Sequence, residues 1–96
     1  MNKNIDSSIN LPINSPKDQF AKIIRHKRYE LELTLQQIQY KCGIHRGYLW
    51  MIENGKRGIP TIETIMKLEK GMGIKCGKLV KEAVRLLESE VYGKGK

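Results

Sequence analysis

Two short helical stripes with a glycine between them constrain the fold of this chain more than any other feature. Their apolar residues recur at helical spacing, at Leu35, Ile38 and Cys42 and then at Leu49 and Ile52. Only Gly43, Ile44 and, at most, His45 connect the two helices. So short a link that contains glycine forces two helices to cross steeply, which is the geometry of a helix-turn-helix. A plain αα-corner has the same spacing, so the surrounding residues must separate the two.

The remaining helices are predicted from capping signals and the same periodicity. Ser15, Pro16 and Asp18 have the spacing of a capping box with proline at the first helical position. Thr34 and Gln37 have the same spacing at the start of the first stripe. The first predicted helix lies near 16–31, and the second begins at Thr34 and ends at Gly43. The third lies near 46–54 and is followed by Gly55. The fourth begins at Thr61 and ends at Gly71 and Gly73, and the fifth lies near 76–92. Since no strand pattern is convincing, the expected fold is all-α.

The two ends of the chain differ in composition from this helical region. Residues 1–15 are rich in Asn and Ser and poor in apolar residues, which is typical of a flexible arm. The alternation of Ile9, Leu11 and Ile13 leaves open that the arm pairs as a strand with a partner. The predicted organisation is an arm over 1–15, one domain over 16–92 and a tail over 93–96.

The charge balance favours a polyanionic partner. The 96 residues include 18 Lys and Arg against 10 Asp and Glu, a formal net charge of +8. Such an excess suits nucleic acid or an acidic membrane surface. No apolar run approaches the roughly 18 residues of a membrane span, and residues 1–15 lack the apolar segment of a signal peptide. We therefore expect a cytoplasmic protein without a membrane span.

The second stripe raises a question about the single tryptophan of the chain. Trp50 lies with Gly47, Met51 and Asn54 on one helical face, opposite the apolar stripe. Tryptophan in a soluble protein is normally at least partly buried. Its place on the outer face favours contact with a ligand, although tucking sideways against the core or a second copy stays open.

From Ile24 to about Leu79 the chain resembles the Cro and phage-repressor type of helix-turn-helix, also called the XRE family. The match is carried by Arg28, Leu33-Thr34, Ile38, Gly43-Ile44, Leu49, the run from Ile52 to Arg57 and the helix from Ile62 to Met72. The resemblance implies a lambda-repressor-like bundle of five helices whose third helix lies in the major groove of DNA. Restriction–modification controller proteins and compact phage repressors are the expected relatives.

The resemblance also implies which residues read bases. Arg46, Gly47, Trp50 and Met51 match the positions from which this family contacts base edges. Arg46 can donate two hydrogen bonds to a guanine edge, and Gly47 lets the backbone approach. Trp50 and Met51 can cover thymine methyl groups or pack along the sugar edge.

Phosphate contacts are expected beside the base-reading residues. Backbone N–H groups at the starts of the second and third helices attract phosphates. The polar side chains near those points are Thr34, Gln36, Tyr48, Asn54, Lys56 and Arg57. The expected partner is therefore double-stranded DNA.

One ion pair is implied by the family pattern. The residues at Arg28 and Glu53 commonly pair, which ties the first helix to the end of the third. Glu53 follows the inward-facing Ile52, and a partly buried carboxylate requires a cation.

Three residues depart from the family pattern. Gln39 stands where alanine is strongly preferred, and Glu69 replaces a usual small residue of the fourth helix. His45 stands where Ser or Thr would cap the third helix, and histidine is expected to cap less well. These departures bear on local packing more than on the fold.

A zinc site is the rival to a nucleic-acid site. Cys42 and His45 have C-x-x-H spacing, and His26 with Cys76 would complete four ligands. Cys42 is better explained as a small core residue, and no second closely spaced ligand pair exists. Paired acids, a nucleophile elbow and a phosphate loop are missing from the sequence, so neither catalysis nor a metal or cofactor is expected.

Two functions follow from these patterns. The first is a sequence-specific transcription regulator that binds a palindromic operator as a homodimer. The surplus apolar residues of the fifth helix are its expected dimer interface: Val80, Val84, Leu87 and Val91. The second is an antitoxin-like interaction module whose helix-turn-helix domain also neutralises a toxin partner.

Overall fold

The computed structural model describes residues 15–93, which form five α-helices. The helices are α1 (Pro16–Glu30), α2 (Leu35–Cys42), α3 (Arg46–Glu53), α4 (Ile62–Met72) and α5 (Lys78–Tyr92). No strand occurs within this range, so the all-α prediction is confirmed. The predicted arm and tail lie outside the described residues, apart from Ser15 and Gly93.

The five helices enclose one apolar core. α2 packs on α3 and α4, while α1 packs on α3 and α5, and α5 also contacts α4. Each helix contributes its inward stripe to a continuous buried cluster: Phe20, Ile24, Ile38, Leu49, Ile52, Ile65, Leu68, Met72, Leu79, Ala83 and Leu86. The helical periodicity of the sequence therefore identifies the buried face of every helix.

The ends of α2 follow their sequence signals. The hydroxyl of Thr34 accepts the N–H of Gln37 at 3.0 Å, and the Gln37 amide oxygen accepts the N–H of Thr34 at 2.8 Å. At the other end Gly43 adopts φ 82°, a left-handed conformation that side chains disfavour. Both ends of α2 are thus determined locally.

Two predicted helix ends are corrected by the structure. Ser15 precedes α1 as expected, but its side chain makes no capping hydrogen bond. Gly71 does not end α4; the helix continues to Met72, and Gly73 follows as the left-handed residue. Gly71 is buried instead, where an added Cβ would lie 3.0 Å from the Cys42 Sγ. Its missing side chain therefore permits the close packing of α2 on α4.

The start of α5 explains the unexpected Glu69. Gly77 precedes this helix and has no side chain to cap it. Glu69, on α4 and only 2% exposed, accepts the backbone N–H groups of Gly77 at 2.9 Å, Leu79 at 2.8 Å and Val80 at 3.1 Å. The positive end of the α5 dipole further favours this carboxylate. Glu69 is thus the cap of α5, supplied from α4.

We expect Glu69→Gln to destabilise the protein by about 1–3 kcal/mol, because an amide NH₂ would replace one acceptor opposite the N–H groups of α5. Glu63→Gln on the same helix is the control, since Glu63 is exposed and its 4.0 Å pair with Lys67 is solvated. That control should change stability by no more than about 0.5 kcal/mol. Urea unfolding of both variants measures the difference, and equal midpoints would contradict the capping role.

Candidate nucleic-acid interface

The turn between α2 and α3 consists of Gly43, Ile44 and His45, as the sequence predicts. His45 caps α3 through its side chain: its Nδ1 accepts the N–H of Gly47 at 2.9 Å. Histidine thus occupies the capping position that Ser or Thr holds in the family pattern. A Cβ on Gly47 would lie 3.1 Å from the same Nδ1, so the glycine leaves room for the imidazole.

α3 divides into a buried and an exposed face. Leu49 and Ile52 are each 2% exposed and belong to the core. Arg46 is exposed on the other side, where Trp50 and Met51 remain 50% and 36% exposed. Trp50 is therefore not a core residue. The solvent-exposed face of α3 carries an arginine and two large apolar side chains.

Gln39 connects α2 to the first residue of α3. Its amide oxygen accepts the backbone N–H of Arg46 at 2.8 Å and the Arg46 Nη1 at 3.3 Å. One acceptor thus contacts both the backbone and the side chain of a predicted base-reading residue. The sequence marks Gln39 only as a departure from the family pattern and gives no sign of this partner.

The backbone donors at the starts of α2 and α3 are not equivalent. In α3 the N–H groups of Tyr48 and Leu49 bond to the His45 carbonyl, and those of Arg46 and Gly47 bond to side chains. All four early donors of α3 are therefore occupied. In α2 the N–H groups of Leu35 and Gln36 have no partner among the described residues, so of these two helix starts only that of α2 keeps unoccupied backbone donors.

The pair between Arg28 and Glu53 is present as the family pattern implies. Arg28 Nε lies 2.6 Å from Glu53 Oε2 and Nη2 lies 2.9 Å from Oε1, while Nη1 donates to the carbonyl of Leu33 at 2.9 Å. The Glu53 side chain is 3% exposed. The hydrogen bond to Glu53 raises the pKa of Arg28 above its ordinary value, against the opposing effect of burial.

Two cationic side chains of α1 contact the residues that follow the C-terminal end of α3. Asn54 Nδ2 donates to the carbonyl of Trp50 at 2.8 Å, and its Oδ1 accepts from Arg25 Nη2 at 3.0 Å. Lys17 Nζ donates to the carbonyl of Gly55 at 2.8 Å. Both polar atoms of the Asn54 amide, a predicted phosphate contact, thus have partners within the chain, in bonds that are exposed to solvent. Arg25 and Lys17 were not predicted site residues, since only tertiary packing brings them here.

The remaining predicted phosphate contacts lie in two places, along and just after α3 and at the start of α2. Arg57 lies over the ring of Tyr48 with its guanidinium carbon 5.1 Å from the ring centroid, a cation–π contact. Lys56 is exposed beside it, and Thr34 and Gln36 are exposed at the start of α2. The structure thus places cations near the end of α3 and polar groups at the start of α2.

The predicted dimer residues separate into two groups. Val84 and Leu87 are each 41% exposed and Val91 is 70% exposed; they line a shallow groove on α5 with Glu88 and Tyr92. Val80 is partly buried and packs against the core of the same chain. The exposed apolar stripe of α5 therefore comprises Val84, Leu87 and Val91.

The rival zinc site does not assemble in the described part of the chain. No group of three or more His, Cys, Asp or Glu residues is close enough there to hold a metal ion. Cys42 packs against the core, in agreement with its place on the inward stripe of α2. Among the described helices, none is long and apolar enough to cross a membrane.

Comparison with known proteins places this geometry among DNA-binding domains. A helix-turn-helix family model matches residues 24–79, more than half of the chain. The chain is also 37% identical, over 57 residues, to the HTH-type transcriptional repressor RghR of Bacillus subtilis (strain 168). That match covers 59% of this chain and 42% of the relative, so the chain spans less than half of the length of that repressor. No solved structure matches the chain at a significant level.

We expect Trp50→Ala to leave the free energy of unfolding within about 1 kcal/mol of the parent, because half of the side chain is already in water. Leu49→Ala is the matched control, one residue away on the buried face. It should cost about 2–5 kcal/mol through loss of core contacts and creation of a cavity. Thermal unfolding of the two variants measures both changes. A loss of stability for Trp50→Ala as large as that for Leu49→Ala would show that the tryptophan is a core residue.

Proposed function

Because the chain belongs to the Cro/C1-type helix-turn-helix family of DNA-binding transcription regulators, we propose that it binds a palindromic operator as a homodimer. In this proposal α3 enters the major groove, and the protein acts on DNA in the cytoplasm. The RghR relative is a transcriptional repressor. We infer the same sign of regulation for this chain, by occupation of the operator.

The exposed face of α3 is the observation that carries the proposal. Helix-turn-helix proteins contact base edges with residues near the start of the recognition helix. Arg46 is at that start, and Trp50 and Met51 follow on the same outer face. A guanidinium suits a guanine edge, and the apolar side chains suit thymine methyl groups.

The positions of the cations support docking of the end of α3, and of the loop that follows it, against the DNA backbone. Lys17 and Arg25 reach the end of α3, and Lys56 and Arg57 follow it in the next loop. Neutralising phosphates with such cations releases condensed counterions from DNA. The net charge of +8 acts in the same direction.

The apolar stripe of α5 supports assembly in pairs. Val84, Leu87 and Val91 form an exposed row on one side of a helix that already buries Leu79 and Leu86. Two copies that share this row about a two-fold axis would form an isologous interface. The two α3 helices would then enter successive major grooves about 34 Å apart.

The test is selection of binding sites from random DNA, followed by titration of the selected site at several salt concentrations. We expect an inverted repeat whose affinity falls steeply as salt rises, because phosphate contacts release counterions. The absence of any enriched sequence would contradict the proposal.

Two variants test which residues contact phosphates and which contact bases. Lys56→Ala with Arg57→Ala should weaken binding to all sequences and lower the slope of log affinity against log salt by about 1 per lost contact. Trp50→Ala carries no change in charge, so it should weaken the selected site while leaving this slope nearly unchanged. The proposed roles would be contradicted if the Trp50 variant lowered the salt slope while the Lys56 and Arg57 variant left it unchanged.

We expect Leu87→Asp to dissociate the dimer. The change places two carboxylates opposite one another in an apolar interface, and the dimer dissociation constant should rise by about 100-fold or more. Analytical ultracentrifugation over a range of concentrations measures this constant directly.

Ser89→Asp is the control for this change, because Ser89 is exposed on another side of the same helix. It introduces the same charge and should leave the dimer intact. Circular dichroism of both variants verifies that α5 remains folded. A monomeric parent protein at high micromolar concentration would exclude the proposed interface.

A further inference from the structure

We propose that Gln39 is a positioning residue for Arg46, which makes base discrimination depend on a side chain of α2. The inference rests on the proposed function, since it concerns how α3 reads DNA. Its basis is the shared acceptor: the Gln39 amide oxygen bonds to the Arg46 backbone at 2.8 Å and to Nη1 at 3.3 Å.

The shared acceptor leaves the reading edge of the arginine available. A guanidinium carries five N–H donors in a rigid plane. The contact with Gln39 uses Nη1, so the edge formed by Nε and Nη2 keeps two parallel donors. That edge matches the O6 and N7 acceptors of guanine, which take a bidentate contact from arginine. Gln39 therefore holds the arginine without competing for its base-reading edge.

Ordering the Arg46 side chain before DNA binds affects both affinity and specificity. A free arginine side chain loses considerable rotamer freedom when it is fixed against a base. Because Gln39 orders both the backbone and the side chain of Arg46 before DNA arrives, part of that loss occurs on folding. Preorganisation of this kind strengthens the contact with the correct base and sharpens rejection of the wrong one.

The Nη1 contact matters most to specificity, and the backbone contact matters most to stability. The bond to the Arg46 N–H occupies the first donor of α3, as a helix cap does. The 3.3 Å bond to Nη1 is at the long end for a hydrogen bond, so it orients the side chain without locking it. The two effects separate by a double-mutant cycle, since removal of the Arg46 side chain leaves its backbone N–H in place.

The experiment measures Gln39→Ala in two backgrounds, the parent and Arg46→Ala. The readout is the ratio of affinities for the selected operator and for the same operator with the arginine-contacted base pair changed. With Arg46 present, Gln39→Ala should reduce this ratio by about three- to tenfold, within the range for coupled side chains in contact. In the Arg46→Ala background it should have no further effect on the ratio.

A second readout requires no DNA. Loss of the Gln39 acceptor should speed hydrogen exchange of the Arg46 amide by about two- to tenfold, the equivalent of one net hydrogen bond. Thr61→Ala is the control for loss of a helix cap elsewhere, because the Thr61 hydroxyl accepts the N–H of Thr64 at the start of α4. That variant should change neither the Arg46 exchange rate nor the affinity ratio.

Three outcomes would overturn the inference. Equal loss of discrimination in both backgrounds would mean that Gln39 touches DNA itself or acts only as a helix cap. No loss with Arg46 present would mean that the arginine is positioned without it. A parent protein that prefers no DNA sequence would remove the proposed function and this inference with it, while the exchange experiment would still report on the contact.

Discussion

The placement of α3 and of its exposed face depends on the buried pair of Arg28 and Glu53. The Glu53 carboxylate is at the end of α3 with a 3% exposed side chain, so a cation and hydrogen-bond donors must offset the cost of burying it. Arg28 supplies both through two parallel contacts, and its third group bonds to Leu33 in the link to α2. One side chain thus joins α1, the α1–α2 link and α3. Because the folded-state pKa of Arg28 is raised, this contribution is present below the ordinary arginine pKa and is lost only at still higher pH.

With one end of α3 held in this way, side chains from α1, from α2 and from the turn before α3 complete its support. Gln39 from α2 occupies the first N–H of α3, and His45 occupies the second. Arg25 and Lys17 from α1 bond to groups just beyond its last turn. The helix is therefore fixed at both ends while its outer face stays exposed, which is the arrangement that a rigid recognition element requires. The early N–H groups of α3 all have partners within the chain, whereas the first two N–H groups of α2 have none among the described residues.

The unusual residues of this chain acquire roles from their long-range partners. Glu69 does not disturb the packing of α4, because its carboxylate caps α5 across the fold. Gln39 likewise replaces an expected alanine and gains two donors from Arg46. In both cases the polar side chain accepts at least one backbone N–H at the start of the next helix. For Glu69, which is 2% exposed, these partners offset the cost of burying a charged group.

The sequence by itself determined the five helices, the three-residue turn and the outward position of Trp50, because each depends on spacing within a few residues. The pair of Arg28 with Glu53 was predictable only through the family resemblance. The tertiary structure alone decided that Gly71 lies inside α4 against Cys42, that Asn54 accepts a hydrogen bond from Arg25, and that the partly buried Val80 packs against the core. It also decided the partners of Glu69 and Gln39. These contacts join residues that local periodicity cannot relate, since their donors and acceptors meet only when the helices pack.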